Sequence, residues 1–343
     1  MAIPDLTPVS GYRPDLSALL ADARVVSVPM RVKFRGILHR EALLVPGPAG
    51  WGEFSPFPEY DDAEAAPWLA AALEAAGEGY PDPVRTSVPV NGTVPAVAVE
   101  QVEGVLARFG AVSAVKVKVA EHGQSVAEDL ARVAEVRRLL PAAGIRVDAN
   151  GGWDVPTAVA ALESLAEAGL EYAEQPVPEI SGLREVRLEL QRRGIPVLIA
   201  ADESVRKETD PLRVAREDAA DLIVVKVAPL GGVRRALKIV AAAGLPAVVS
   251  SALDTSVGIR AGVALAASLP ELPYACGLGT LSLMTGDVAG EPMVPDGGAL
   301  AVRDVLVDED MLERYAAAPG RRQWWLDRLE RVYGQLMSGD GTV

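Results

Sequence analysis

With 343 residues, half of them hydrophobic and 23% charged, the chain has material for two domains, or for one large α/β barrel with an appendage. Its formal charge, 33 − 47 = −14, argues against a nucleic-acid or anionic-membrane surface, since both need clustered Lys and Arg. The single cysteine, Cys276, can form no internal disulfide, residues 1–5 open no basic-then-apolar leader, and every apolar stretch is broken well before the ~18 residues of a membrane span, so a cytoplasmic protein without a membrane anchor is expected.

In chain order, residues 24–29 and 39–45 read as paired strands, residues 51–60 as a loop rich in Gly, Pro and aromatics, and residues 63–76 as a helix. From about residue 86 the pattern changes to short β-branched runs at 87–90, 114–119, 144–147, 170–173, 196–200, 222–227 and 247–249, with a weaker one at 274–276. Between them lie amphipathic segments at 125–140, 155–168, 183–193, 233–243 and 256–269. In the second of these, Val155, Val159, Leu162 and Leu165 share one face. Ala143-Gly144, Ala168-Gly169, Arg193-Gly194 and Ala243-Gly244 end helices and lead directly into the next strand. Repeats of this length predict a TIM-type (β/α)8 or (β/α)7β barrel over residues 86–290. A doubly wound open sheet is disfavoured, because no G-x-G-x-x-G follows the first strand. Beyond the barrel, residues 299–307 read as strands and 321–336 as a helix carrying Trp324 and Trp325. The two ends, 1–85 and 291–343, are expected to form one small α+β domain beside the barrel.

The chain has only six lysines among its 33 basic residues, yet three lie in strand-like runs: Lys116 and Lys118 in A-V-K-V-K-V-A, and Lys226 in L-I-V-V-K-V-A. An amine can lose its proton when desolvated, whereas a guanidinium effectively cannot, so these are candidate acid/base groups. Lys116 and Lys118 have the same parity and must share a face of their strand. Acidic residues close the intervening strands: Asp148 in D-A-N, Glu174 in E-Q-P and Asp202 in A-D-E-S. The steps from Lys118 through these to Lys226 are 30, 26, 28 and 24 residues, one βα unit each. In a barrel all five side chains can reach one C-terminal mouth.

Three carboxylates gathered there need a compensating charge. An all-oxygen set suits Mg²⁺, with Mn²⁺ as an acceptable substitute. The two histidines, His39 and His122, lie away from the carboxylates, which argues against zinc. A hard cation between two amines suits removal of a proton α to a carboxylate, so the expected partner is a small carboxylate substrate. Lys116, the cation and the desolvating strand walls are expected to lower the pKa of Lys118. Each signal has a plainer reading when taken alone. The acidic residues could be helix caps, Arg146 could pair on the barrel, Ser250-Ser251 could simply end a strand, and His122 reads as a solvated loop residue.

Taken together, K-V-K, D-A-N, E-Q-P, A-D-E-S and V-V-K with Gly231-Gly232 after it resemble the enolase superfamily, in its muconate-lactonizing subgroup. Arg146, the stretch Ser250-Ser251-Ala252-Leu253 and the stretch Cys276-Gly277-Leu278-Gly279-Thr280 are similar to the o-succinylbenzoate synthase family within that subgroup. The resemblance implies a capping domain built from both chain ends. It also implies a Mg²⁺-dependent syn dehydration of 2-succinyl-6-hydroxy-2,4-cyclohexadiene-1-carboxylate in menaquinone biosynthesis. Lys118 would carry the proton, Lys226 would be a fixed cation, and Asp148, Glu174 and Asp202 would hold the metal. Asn150, Glu203 and Arg146 would support them, while Ser250, Ser251, Gly279 and Thr280 would meet the succinyl end. Residues 30–36 and 54–60 would close the mouth.

Racemisation of N-acylamino acids by the same lysine pair is the alternative within the family. Dipeptide epimerisation lacks its paired aspartates, since Gly277-Leu278-Gly279 stands there, and mandelate-racemase chemistry lacks its histidine. Muconate cycloisomerisation has no feature of its own in support. From another class, a non-catalytic metal-binding barrel would be favoured only if one of the five core residues were replaced. The sequence leaves the oligomeric state open, a monomer included.

Overall fold

The computed structural model describes residues 11–34, 36–205 and 210–338. Helix α1 (Leu16–Asp22) begins at Asp15, whose carboxylate accepts from the Ser17 and Ala18 amides. Strands β1 (Arg24–Phe34), β2 (Ile37–Gly47) and β3 (Gly50–Phe54) form an antiparallel sheet in that order, followed by helix α2 (Asp62–Gly77). β3 occupies part of the segment expected to be a loop. Gly52 within it serves packing rather than a turn: a Cβ there would lie 1.9 Å from the Ala72 carbonyl oxygen of α2.

Strand β4 (Ser87–Pro89) precedes a regular alternation. This runs β5 (Gly92–Val94), α3 (Val102–Leu106), β6 (Ala114–Lys118), α4 (Val126–Leu139), β7 (Gly144–Asp148), α5 (Val155–Leu165) and β8 (Leu170–Glu174). It continues with α6 (Ile180–Arg193), β9 (Leu198–Ala201), α7 (Asp210–Arg216), β10 (Leu222–Val225), α8 (Val233–Ala243), β11 (Ala247–Val249) and α9 (Ser256–Ser268). Strands β5 to β11 make one parallel seven-stranded sheet in sequence order. Parallel bridges Val90↔Cys276 and Ser250↔Gly277 connect its edges. The run at 274–276 is reduced to these bridges, because Pro273 and Gly277 flank it too closely for a ladder.

The first barrel strand also differs from expectation. Residues 87–89 pair antiparallel with β12 (Ala299–Ala301), and the barrel begins at β5, whose Gly-Thr-Val is too short to carry a pattern. Only 299–301 of the predicted 299–307 run is strand. Helices α10 (Glu309–Arg314) and α11 (Pro319–Ser338) complete the chain.

Three apolar clusters organise the interior. The largest fills the layer between the barrel strands and their helices. A second joins β1–β3, α2 and α11 around Trp325, which is fully buried and meets Phe54 edge-on at 5.9 Å. The third, Tyr172, Ala200, Leu222, Val224 and Val248, takes the inward positions of its strands and fills the barrel below its mouth.

Two carboxylates, one on β3 and one on α2, join the β1–β3 and α2 unit to the barrel, each at a helix N-terminus. Glu53 accepts from the Thr255 amide at 3.1 Å, the Thr255 hydroxyl at 2.6 Å and the Gly258 amide at 3.0 Å, all at the start of α9. Glu74 accepts from the Val233 amide at 2.6 Å and from the Arg234 amide and guanidinium at 3.2 and 2.9 Å, at the start of α8. A Cβ on Gly232 would sit 1.9 Å from the same carboxylate, so glycine leaves room for this contact. Free amides and the helix dipole offset part of the cost of burying these two carboxyls, which burial nevertheless raises.

Candidate active site

The parallel register sets the row of charges. Lys118 pairs with Asp148 on the neighbouring strand, and Asp148 with Glu174 on the next. Asp202 and Lys226 follow directly on β9 and β10. All five side chains, with Lys116 one pair below Lys118, emerge at the C-terminal end of the strands.

Each carboxylate is matched by an amine. Lys116 donates to both Glu174 oxygens at 2.9 and 3.1 Å and lies 3.2 Å from Asp148. Lys118 binds Asp148, and Lys226 binds Asp202. Burial would raise Asp148 and Asp202, but Lys118 and Lys116 hold the former, and Lys226 and Lys116 the latter, below the ordinary carboxylate range. Burial alone would lower Lys116, yet Glu174 and Asp148 push it well up, so it stays an ammonium. Its charge is balanced by Glu174 and Asp148. Glu174 moves the other way, raised first by burial and then by the Asp148 charge, and is the least satisfied of the three.

Among the described residues, no three His, Cys, Asp or Glu side chains converge on a ready-made metal cage. The donor set nevertheless fits a hard divalent cation. Three carboxylates on adjacent strands bring hard oxygen donors to one mouth.

The loops after the strands orient this row. Asn150, at φ +46°, accepts from Lys118 at 2.6 Å and donates to Glu203 at 3.1 Å. Gln175, at φ +40°, accepts from the Asp202 and Ser204 amides at 2.9 and 3.1 Å and so fixes the turn carrying Asp202. Residues held in this region of backbone space are often ones a site requires.

A cavity opens over the row and is lined by both Lys118 and Lys226. Ser250, Ser251 and Thr280 lie in its wall, the latter two joined by a 2.5 Å hydroxyl contact. Gly279 begins a short 3-10 turn behind Thr280, where a Cβ would approach the Asn91 carbonyl oxygen to 3.2 Å.

Arg146 lies deeper. It pairs in register with Lys116 and Tyr172, and donates to Glu171 at 2.7 Å, the Ala275 carbonyl at 2.5 Å and Asn91 at 3.2 Å. Its guanidinium also stacks 5.0 Å from the Tyr172 ring centre. A register shift between β7 and β8 leaves Glu171 as the extra residue that reaches it. Its described partners thus tie the barrel floor, not the carboxylate row.

Three further wall residues belong to the lining; Phe57 and Leu253 fall in segments the resemblance pointed to, while Thr93 had no signal in sequence. Phe57 comes from the loop after β3, Thr93 from the overlooked β5, and Leu253 sits at φ +66°. Buried Arg40 holds two of them. It donates to the Leu253 carbonyl at 3.1 Å and lies 4.6 Å from the Phe57 ring centre.

A parallel barrel with lysines at both ends of a carboxylate row defines an enolase-type site. Residues 97–306 match the model described as "Enolase C-terminal domain-like", and residues 25–76 match "Enolase N-terminal domain-like". The o-succinylbenzoate synthase of Mycobacterium tuberculosis (strain H37Rv) is 53% identical over 329 residues, covering 96% of this chain and 98% of that protein. That of Mycolicibacterium smegmatis is 54% identical over 317 residues, covering 92% and 96%. The chain belongs to the o-succinylbenzoate synthase family of the enolase superfamily.

Solved structures share the fold. A muconate lactonizing enzyme from Pseudomonas putida superposes with TM-score 0.68 at 22% identity, and one from Pseudomonas fluorescens complexed with muconolactone with TM-score 0.71 at 21%. Each covers 86% of this chain and 98% of its own. Among the described residues, no helix is long and apolar enough to cross a membrane.

Proposed function

We propose that the barrel mouth catalyses the o-succinylbenzoate synthase reaction, the syn dehydration of 2-succinyl-6-hydroxy-2,4-cyclohexadiene-1-carboxylate to 2-succinylbenzoate, in the cytoplasm. The carrying observation is that Lys118 and Lys226 line one cavity from opposite ends of the Asp148–Glu174–Asp202 row. Asp148, Glu174 and Asp202 would hold Mg²⁺, which when bound supplies positive charge for the substrate carboxylate.

Lys118 Nζ takes the α-proton as a neutral amine, forming N–H as C–H breaks. Lys226, as an ammonium, faces the negative charge that develops on the carboxylate oxygens. The ring C–O bond then breaks on the same face, and the proton on Lys118 leaves with the hydroxyl as water. Asn150, through its contacts to Lys118 and Glu203, aims the amine. Ser250, Ser251 and Thr280 receive the succinyl end, with Gly279 shaping the turn behind.

Residues 1–85 and 291–343 are proposed to form the cap, with Phe57 reaching the cavity. Part of the other expected closing segment, Arg35, lies outside the described residues. The direct test supplies the cyclohexadiene substrate with Mg²⁺ and follows loss of its absorbance. Absence of turnover by the wild-type protein sinks the reading.

Racemisation of N-succinylamino acids is the second reading. It is favoured by the similar exposure of the two amines, 12% for Lys118 and 16% for Lys226, since a racemase needs both to reach the α-carbon.

A further inference from the structure

We infer that Arg132 and Asp129, a buried pair on α4, are positioning residues for Lys118. The inference rests on the reading of Lys118 as the proton carrier. Both side chains are only 1% exposed, and neither touches the cavity. The Arg132 guanidinium donates from Nη1 to the Lys118 carbonyl at 2.8 Å and to Asp129 Oδ1 at 2.9 Å. Its Nε donates to the Val97 carbonyl at 2.9 Å, and its Nη2 to Gln124 Oε1. Asp129 Oδ2 in turn accepts from the Ala120 amide at 2.9 Å.

The pair therefore grips the chain on both sides of Val119, whose own amide is held by the Asp148 carbonyl at 3.0 Å. What it grips is a turn that would not hold itself. Ala120 sits at φ +59°, which an L-residue other than glycine rarely adopts without outside support. Gly152, two residues beyond Asn150, packs so closely that a Cβ there would lie 2.8 Å from both the Cβ and the carbonyl oxygen of Ala120.

Lys118 is thus the last strand residue before a strained turn, and its main chain is fixed by a planar fork bound to three segments. A helix needing only an anchor would be served by one such contact. Four contacts converging on residues 118–120 and the flanking loops fix the direction in which the amine leaves the strand. Reaction rate is steeply sensitive to that direction, an error near 1 Å costing about a hundredfold.

The test is the double variant Arg132→Met/Asp129→Asn. It keeps side-chain volume, leaves no unpaired buried charge, and retains an acceptor for the Ala120 amide. A second variant, Arg132→Lys, keeps the ion pair but cannot span all the segments the fork joins. With the fold unchanged by circular dichroism, kcat of the double variant should fall about 10- to 100-fold. KM should stay within about threefold, and the isotope effect from α-deuterated substrate should rise as proton removal becomes limiting. Arg132→Lys should recover part of kcat. A kcat within twofold of wild type in either folded variant overturns the inference.

Lys118→Ala separates the two possible failures. If it still turns over, the base assignment falls. If it is inactive while the pair variants are unaffected, only the role of Arg132 and Asp129 falls.

Discussion

Lys118 Nζ donates to Asn150 Oδ1 at 2.6 Å, while the same amine is bound to Asp148 two residues earlier in the chain. One strand end and the loop that follows it therefore supply both the proposed metal ligand and the group that aims the proposed base. The Asn150 amide also donates to Asp148 at 3.1 Å, so the two side chains are held together.

Lys118→Ala should lower kcat by about 10²- to 10⁴-fold, the usual worth of a positioned base. Its circular dichroism and thermal midpoint should stay close to those of the wild type. Steady-state turnover of the cyclohexadiene substrate checks this, and a rate near wild type refutes the assignment.

Lys226→Ala separates dehydratase from racemase. As a fixed cation its loss should cost about 10²- to 10³-fold in dehydration. If the amine also carries protons, an N-succinylamino acid in D₂O should lose α-exchange for one enantiomer only. Equal exchange of both enantiomers in the variant would show that Lys226 moves no proton.

Asp148→Asn and Asp202→Asn should each weaken Mg²⁺ binding by more than the roughly tenfold that outer partners command. Titration calorimetry on folded protein reads this without turnover. Unchanged affinity in both variants breaks the ligand assignment.

Glu53 gives a pH test that needs no turnover. Burial first, then the Asp254 charge, raises its carboxyl from an ordinary 4.5 to about 7. A carboxyl raised on folding favours the folded state in its protonated form. Its contribution is therefore complete below about pH 4.5 and is withdrawn as pH rises through about 7. Glu53→Gln fixes a neutral acceptor at the start of α9, so its thermal midpoint should vary less than wild type across that window. A slope equal to wild type would assign the dependence to another group.

How much of the site was legible follows from where each signal resides. The Lys118–Asp148–Glu174 row was readable because a parallel strand turns alternate residues inward and βα units have nearly constant length, so spacing alone fixes neighbours. Arg146 shared that parity, and spacing left open whether it supports the carboxylates or pairs on the barrel; the register shift at Glu171 gives it the barrel partner. β3 was hidden because Gly52 serves a close helix contact that only α2 reveals, and β5 because three residues carry no period.

The sequence by itself determined the barrel, the order of its charged strand ends, and the gathering of amines beside carboxylates at one mouth. These depend on local periodicity and residue type. Only the tertiary structure decided which amine each carboxylate binds, how Arg40 seats Phe57 and Leu253, how Glu53 and Glu74 join helix starts, and how Arg132 and Asp129 grip the turn after Lys118. Apart from the grip within the βα unit of Lys118, these contacts link residues far apart in sequence. All of them depend on distances and angles set by packing, which composition and spacing do not encode.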